Sequence, residues 1–228
     1  MPVPWPVLRS PVGLSYAVTA LLGLVVVADL LIAAASLNMR LLMGRVVGDD
    51  LAVIDQAEAD RADYAMAGAS VLYVLALLAT ATVFIVWFHR VRTNAGVFAP
   101  DLQRRGAGWA IGGWFIPIGN LWIPRGVAGD VLRASQHDTY GLEPARTGLL
   151  NAWWGAWLWS LAFDRYATKA YDKAGDVEAI HDASALVMAG AGFDIVAAVL
   201  AILFVRQVTA LQHAKAVGGQ MGTNQAAG

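Results

Sequence analysis

The sequence predicts an all-α fold: a polytopic membrane helix bundle of four transmembrane helices, one Pro/Gly-broken re-entrant or half-buried segment and an interfacial amphipathic helix. Three observations carry this. Of the 228 residues, 58% are hydrophobic and only 14% charged, whereas soluble domains carry about 25% charged residues. Apolar runs recur at spanning length, and Met66–Phe88 holds no Asp, Glu, Lys or Arg at all. The stretch Gly108–Pro124, G-W-A-I-G-G-W-F-I-P-I-G-N-L-W-I-P, is equally apolar yet cannot be one unbroken helix. Pro117 and Pro124 remove backbone donors and push Ile116 and Ile123 away from helical geometry. Irregular backbone at membrane depth survives only where protein or a water-filled cavity satisfies it.

Residues 1–13, beginning M-P-V-P-W-P, are too proline-rich for a helix and form an N-terminal segment. Residues 14–210 form a single membrane-embedded domain with spans at 14–37, 66–88, 147–163 and 183–205. The first span contains Asp29. The eleven Leu, Val and Ile residues of Leu14–Ser36 favour insertion by about 3–6 kcal/mol together, against about 3 kcal/mol for a central carboxylate, so it inserts. Ala33–Ala35 resembles a signal-peptide cleavage site, but the apolar core is too long and the basic flank too thin for one.

Residues 37–65 leave the membrane and are acidic, with Asp49, Asp50, Asp55, Glu58, Asp60 and Asp63. The second span ends in W-F-H-R-V-R-T-N, and Arg90, Arg92, Arg104 and Arg105 mark the cytoplasmic side. The broken segment covers 108–124. Residues 125–137 wind into an amphipathic helix at the interface, with Val127, Ala128, Val131, Leu132 and Ser135 on one face and Asp130, Arg133 and Gln136 on the other. The fourth apolar run is crowded with Trp153, Trp154, Trp157 and Trp159, a charged loop runs from Asp164 to Asp182, and the last span carries Asp194. Residues 211–228 form a disordered tail. If residues 108–124 enter and leave on one side, Lys and Arg concentrate on the side of both termini, which places these in the cytoplasm; with five full spans the bias vanishes.

The absences narrow the function. There is no cysteine, so disulfides, thiolate metal sites and cysteine nucleophiles are excluded. His89, His137, His181 and His213 lie outside the predicted spans, which argues against a bis-histidine haem. No H-E-x-x-H, G-x-S-x-G or phosphate-binding loop occurs. No cofactor is expected, and a net charge of −1 gives no reason to expect nucleic acid.

Four groups of residues stand out. Asp29 and Asp194 are the only charges inside the spans; such carboxylates mark ion or proton paths, or join helices as protonated or locally bonded groups. Gly190, Asp194 and Ala198 share one helix stripe, so a neighbour can come close enough to shield Asp194. Pro117, Asn120, Trp122 and Pro124 bracket a break whose carbonyls can meet an ion, or whose amide can satisfy what the prolines free. Arg90, Asn94, Asp130 and Arg133 can meet at the cytoplasmic face, as a structural clamp with Asp130 and Arg133 at i,i+3 or as a lipid-phosphate site. Seven of nine tryptophans lie between Trp109 and Trp159, as packing or as the lining of a lipid, quinone or cation site.

The run W-F-H-R-V-R-T-N-A followed by G-W-x-x-x-x-W-F-I-P-x-x-N-L-W-x-P resembles a bacterial membrane family, domain-of-unknown-function 4328, common in actinomycetes. Asp130-x-x-Arg133-Ala-Ser and Trp153-Trp154-x-x-Trp157 fit it too, so the resemblance covers about residues 85–160. It implies a bacterial plasma membrane protein and its architecture, and brings no established activity with it. The expected function is a non-enzymatic module binding membrane partners, a second copy or lipids. The alternative is an ion- or proton-coupled transporter or channel using Asp29 and Asp194. An intramembrane enzyme using the two aspartates lacks any motif around either.

Overall fold

The computed structural model describes residues 7–48, 55–141 and 146–226, in which there are helices and turns but no strand. The elements are α1 (Val12–Gly48), α2 (Gln56–Phe98), a 3-10 turn (Pro100–Leu102), α3 (Trp109–Gly112), a second 3-10 turn (Gly119–Leu121), α4 (Ile123–Ser135), α5 (Gly148–Asp172) and α6 (Val177–Ala226). Among the described residues, three helical stretches are long and apolar enough to cross a bilayer: Val12–Val47, Gln56–Phe98 and Val177–Gly218. The chain is thus suited to a multi-pass membrane protein. Helix α5 is not among the three; Asn151, Asp164, Arg165 and Lys169 interrupt its apolar residues.

The helices outrun the predicted spans, because their polar ends are capped and cross-linked. Asp55 Oδ1 accepts the Ala57 N–H, and Asp176 Oδ1 accepts the Ala179 N–H at 2.8 Å, each satisfying a donor that a helix start leaves open. Gln56 and Asp60 bond at i,i+4, and Arg45 pairs with Glu58. The predicted loop from Asp164 to Asp182 is therefore mostly helix, with only residues 173–176 outside α5 and α6. The predicted proline-rich start (residues 1–6) and the acidic Asp49 and Asp50 lie outside the described residues.

The chain divides into two compact units. The first comprises Met1–Ala20, Thr80–Trp154 and Leu200–Gly228. Its core is aromatic: Trp153 stacks on Phe204 at 5.0 Å, Phe84 meets Trp114 edge-on at 5.7 Å, and Trp114 lies 5.8 Å from Trp154. Trp87, fully buried, donates its indole N–H to Thr209 Oγ1 at 3.1 Å. The clustered tryptophans of this unit are packed against one another, while Trp109 and Trp122 stay exposed.

Beside this core is a saturated polar network. Gln212 is 1% exposed. Its amide donates to Val91 O at 2.8 Å and to Ser135 Oγ at 3.1 Å, and its oxygen accepts from Asn94 Nδ2 at 3.0 Å. Asn94 Nδ2 also donates to Arg9 O at 2.8 Å, and Asn94 Oδ1 accepts the Arg9 N–H at 3.1 Å. Ser135 Oγ in turn donates to Val131 O. Helices α2, α4 and α6 and the segment before α1 are thereby tied at one point. Where a tail was expected from residue 211, α6 is drawn on through Gln212 and Lys215 to Ala226, and these two side chains find partners on α2, on α4 or on the turn after it.

The second unit comprises Leu21–Ala79 and Gly155–Val199. Its buried positions are mostly small, including Ala28, Ala35, Ala76, Ala183 and Ala191, which lets helices approach closely. Met39, Leu42 and Ala62, with Met43 and Ile180 against them, close one end. There Arg40 donates to His181 O at 2.8 Å, and the His181 ring lies over Gly44, 3.5 Å from where a Cβ would stand.

Replacing Gln212 by Leu strands one donor of Asn94 and removes the bonds to Val91 O and Ser135 Oγ. We expect a loss of about 1–3 kcal/mol of stability from the buried unsatisfied group, read as a lowered unfolding midpoint in detergent; an unchanged midpoint would show that the network does not bind the helices together.

Candidate functional site

Within the second unit four side chains from four helices converge. Asp29 comes from α1, Tyr73 from α2, Asp164 from α5 and Asp194 from α6. Tyr73 donates its phenolic O–H to Asp194 Oδ2 at 3.3 Å. Asp164 lies beside Asp194, close enough for the two carboxyl groups to act on one another. Asp29 stands close enough to both for their charges to act on it. It is 1% exposed, and its Oδ2 is buried without a hydrogen-bond partner.

Local sequence explains how a third carboxylate reaches this place. Gly190 lies one turn before Asp194 on α6, and a Cβ there would sit 2.7 Å from Asp164 Oδ1 and 3.6 Å from Phe163. Glycine is the residue that admits Asp164. The stripe of Gly190 and Asp194 read from sequence is thus the approach path for α5. Phe163 packs edge-on against Phe193 at 4.9 Å, holding the two helices in register. Asp164 and Tyr73 were not among the sequence candidates. Asp164 closes an apolar run, where a charge reads as a loop; its signal was its i+4 relation to Ser160, 1% exposed, on the inner face. Among the described residues no three His, Asp or Glu side chains are arranged to hold a metal ion.

The broken segment belongs to the first unit and is not a continuous helix. Pro117, Ile118 and Gly119 form a γ-turn, with the Gly119 N–H bonded to Pro117 O at 2.6 Å and Ile118 at φ 63, ψ −46. A β-branched residue there stores strain of about 1–3 kcal/mol. Gly113 and Gly119 both pack on Ile123, leaving no room for a Cβ: it would lie 2.8 Å and 2.9 Å from that side chain. Trp154 donates its indole N–H to Leu121 O at 2.8 Å. Ile123, expected off helical geometry, instead begins α4, since Pro124 sits in the first turn where its missing donor costs nothing. Asn120 uses its backbone N–H on Ile116 O; its side-chain amide makes no hydrogen bond among the described residues. Trp122 is 55% exposed, as are Phe115 (72%) and Ile118 (69%).

Arg90, Asn94, Asp130 and Arg133 are not brought together. Arg90 donates to Ser10 O, and Asn94 belongs to the Gln212 network. Asp130 is buried rather than on an outer face, and its partner is Arg104, not Arg133: Arg104 Nη2 lies 2.7 Å from Oδ1, and Nε donates to it at 2.9 Å. With Nε also donating to Oδ2 at 3.2 Å, one planar guanidinium engages both carboxylate oxygens and holds better than the i,i+3 pair. Hydrogen bonding and the charge of Asp130 raise the Arg104 pKa above its ordinary value. On the same unit Tyr140 donates to Asp101 Oδ1 at 2.6 Å, and that bond raises the phenol's pKa.

Among known families, the one described as domain of unknown function (DUF4328) matches residues 50–210. Its match takes in Tyr73, the broken segment, Asp130, Asp164 and Asp194, and begins after Asp29. No curated protein and no solved structure matches the chain.

The close fit of Asp164 on Gly190 gives a coupling test. Gly190→Ala forces α5 outward and costs about 1–3 kcal/mol by overpacking, and in Asp164→Ala the same change costs less by at least ~0.5 kcal/mol. Strict additivity in unfolding midpoints would place Asp164 away from Gly190.

Proposed function

We propose, from the premise that this chain belongs to the domain-of-unknown-function 4328 family, that it is a small non-enzymatic module of the bacterial plasma membrane whose clustered carboxylates, buried Asp29 and half-buried Asp164 and Asp194, take up and pass protons. One observation carries this reading: Asp29, out of contact with water, keeps a carboxyl oxygen without a partner while it faces Asp164 and Asp194. Most buried polar side-chain atoms find a hydrogen-bond partner, and an intramembrane carboxylate without one is a candidate for function. Three carboxyls and a phenol form a set of exchangeable protons. A proton arriving on one carboxyl moves to the next across a shared hydrogen bond, and each proton gained reduces the cluster's negative charge by one. Helices that converge on the cluster then feel less repulsion, which links protonation to their spacing. In proteoliposomes carrying a pH gradient, wild-type protein is expected to dissipate it at least tenfold faster than Asp29→Asn or Asp194→Asn, with Tyr73→Phe intermediate. Equal rates in wild type and both variants would overturn the reading.

The architecture we propose for this role has four membrane spans, with α5 (Gly148–Asp172) as the shortest, and the broken segment dipping in and returning to the side it entered. α4 then lies at the cytoplasmic interface. The tight turn at Pro117–Gly119 supports this, as does the return of Ile123 to pack over Gly113. The chain has no cysteine of its own, so single cysteines report without background. Cysteines at Asp101 and Asp138 are expected to label from one face of sealed vesicles; labelling from opposite faces would mean a fifth span.

A second reading, docking of the segment onto another membrane protein, a second copy or lipid, is favoured by the exposed Phe115, Ile118 and Trp122 at its turn. It requires no proton movement.

A further inference from the structure

We propose that a pocket on the first unit, between α4 and the loop after α2, is a binding site for a phosphate group, presented by an anionic lipid or free in solution. The pocket has a volume of about 420 Å³ and is lined by Arg104, Arg125 and Arg133, by Asp101 and Asp130, and by Gly126 and Gly129. That volume falls in the range of small-ligand sites. It goes beyond the proton cluster and shares no residue with it.

The charges in the pocket are not balanced. Asp130 is occupied by Arg104, and Asp101 accepts the Tyr140 hydroxyl. Arg125 spends one N–H on a neutral acceptor, Asn151 Oδ1 at 2.5 Å. Arg133 is exposed and makes no ion pair among the described residues. Arg105 reaches over the same wall: its Nη1 lies 3.1 Å from where a Cβ on Gly126 would stand. Two fixed acidic groups are thus already used, while Arg105, Arg125 and Arg133 keep most of their donors. A guanidinium fork pairs two oxygens of a phosphate at once, and the remaining phosphate oxygens can serve a second arginine, which a carboxylate with only two oxygens cannot.

The floor is shaped for a ligand. Gly126 and Gly129 stand one turn apart on α4, and a Cβ on Gly129 would meet only Leu150, at 4.0 Å. Side chains at both positions would occupy the space the pocket leaves open. Arg125 directly follows the segment whose Leu121 and Trp122 are exposed. A headgroup phosphate in the pocket and its acyl chains against that apolar rim match the two chemistries side by side.

The full chain in detergent provides the test, with unfolding midpoints measured on adding dioleoyl phosphatidylglycerol, dioleoyl phosphatidylcholine or inorganic phosphate. At ten times Kd the bound anion is expected to raise the wild-type midpoint by roughly 2–6 °C over phosphatidylcholine. Arg125→Gln/Arg133→Gln loses that difference. Gly129→Leu, which fills the pocket and leaves every charge in place, loses it as well. A rise with phosphatidylglycerol alone assigns the phosphate to lipid; an equal rise with inorganic phosphate assigns it to a soluble anion, and either supports the site. A wild-type response that Gly129→Leu retains in full would overturn it, as would no response to either probe. Native mass spectrometry of the wild type needs no variant to fold, and it is expected to retain phosphatidylglycerol, or inorganic phosphate if the source is soluble, over phosphatidylcholine. Retention of neither overturns the site.

Discussion

A polar group placed among apolar helices has no water to turn to, so protein must answer each of its donors and acceptors. The two units meet this demand differently. In the first, Asn94 and Gln212 use every amide hydrogen and both oxygens on named partners, and Ser135 relays the last bond to Val131 O. A network completed in this way rigidifies and does little else. In the second, Asp29 is just as buried but keeps an oxygen without a partner, and its neighbours are two more carboxyls. Gln103 and Gln207 of the first unit each also keep a buried amide oxygen without a partner, so what sets Asp29 apart is that its unpartnered group can carry a proton.

The broken segment obeys the same constraint by other means. Its prolines remove donors instead of leaving them unpaired, one within a strained turn and one at a helix start. Gly113 and Gly119 let Ile123 pack into the gap, and Trp154 takes up Leu121 O. The strain at Ile118 is tolerated because this packing over-determines the turn. What remains outward is apolar, and beside it α4 carries arginines whose donors exceed the carboxylates available to them.

Much of this was legible in the residues. Uninterrupted apolar runs became long helices, and proline with glycine marked where the chain breaks. The inner face of α4 matches its 3.6-residue pattern, with Val127, Ala128, Val131, Leu132 and Ser135 all buried. The misses share a cause: polar residues near helix ends read as loop or tail, although their side chains turn inward. Asp164 lies past the apolar run yet is drawn in by Gly190, and Gln212 sits in a polar stretch yet continues the buried face of Phe204, Val205, Val208 and Thr209. Asn94 drew notice as a surface contact and is an interior one. Asp130 looked toward Arg133 by spacing, but Arg104 arrives from a distant loop, which no local period reveals. Long-range pairing is set by packing that a single sequence does not display.

The account rests on the Asp29 cluster exchanging protons within the membrane. Infrared difference spectra of the reconstituted chain between acid and alkaline buffer test this most directly. The account predicts a carboxyl C=O band that appears and disappears with pH, is shifted by ²H₂O, and is lost or displaced in Asp29→Asn. A wild-type spectrum in which every titrating carboxyl band survives that substitution unchanged would contradict it.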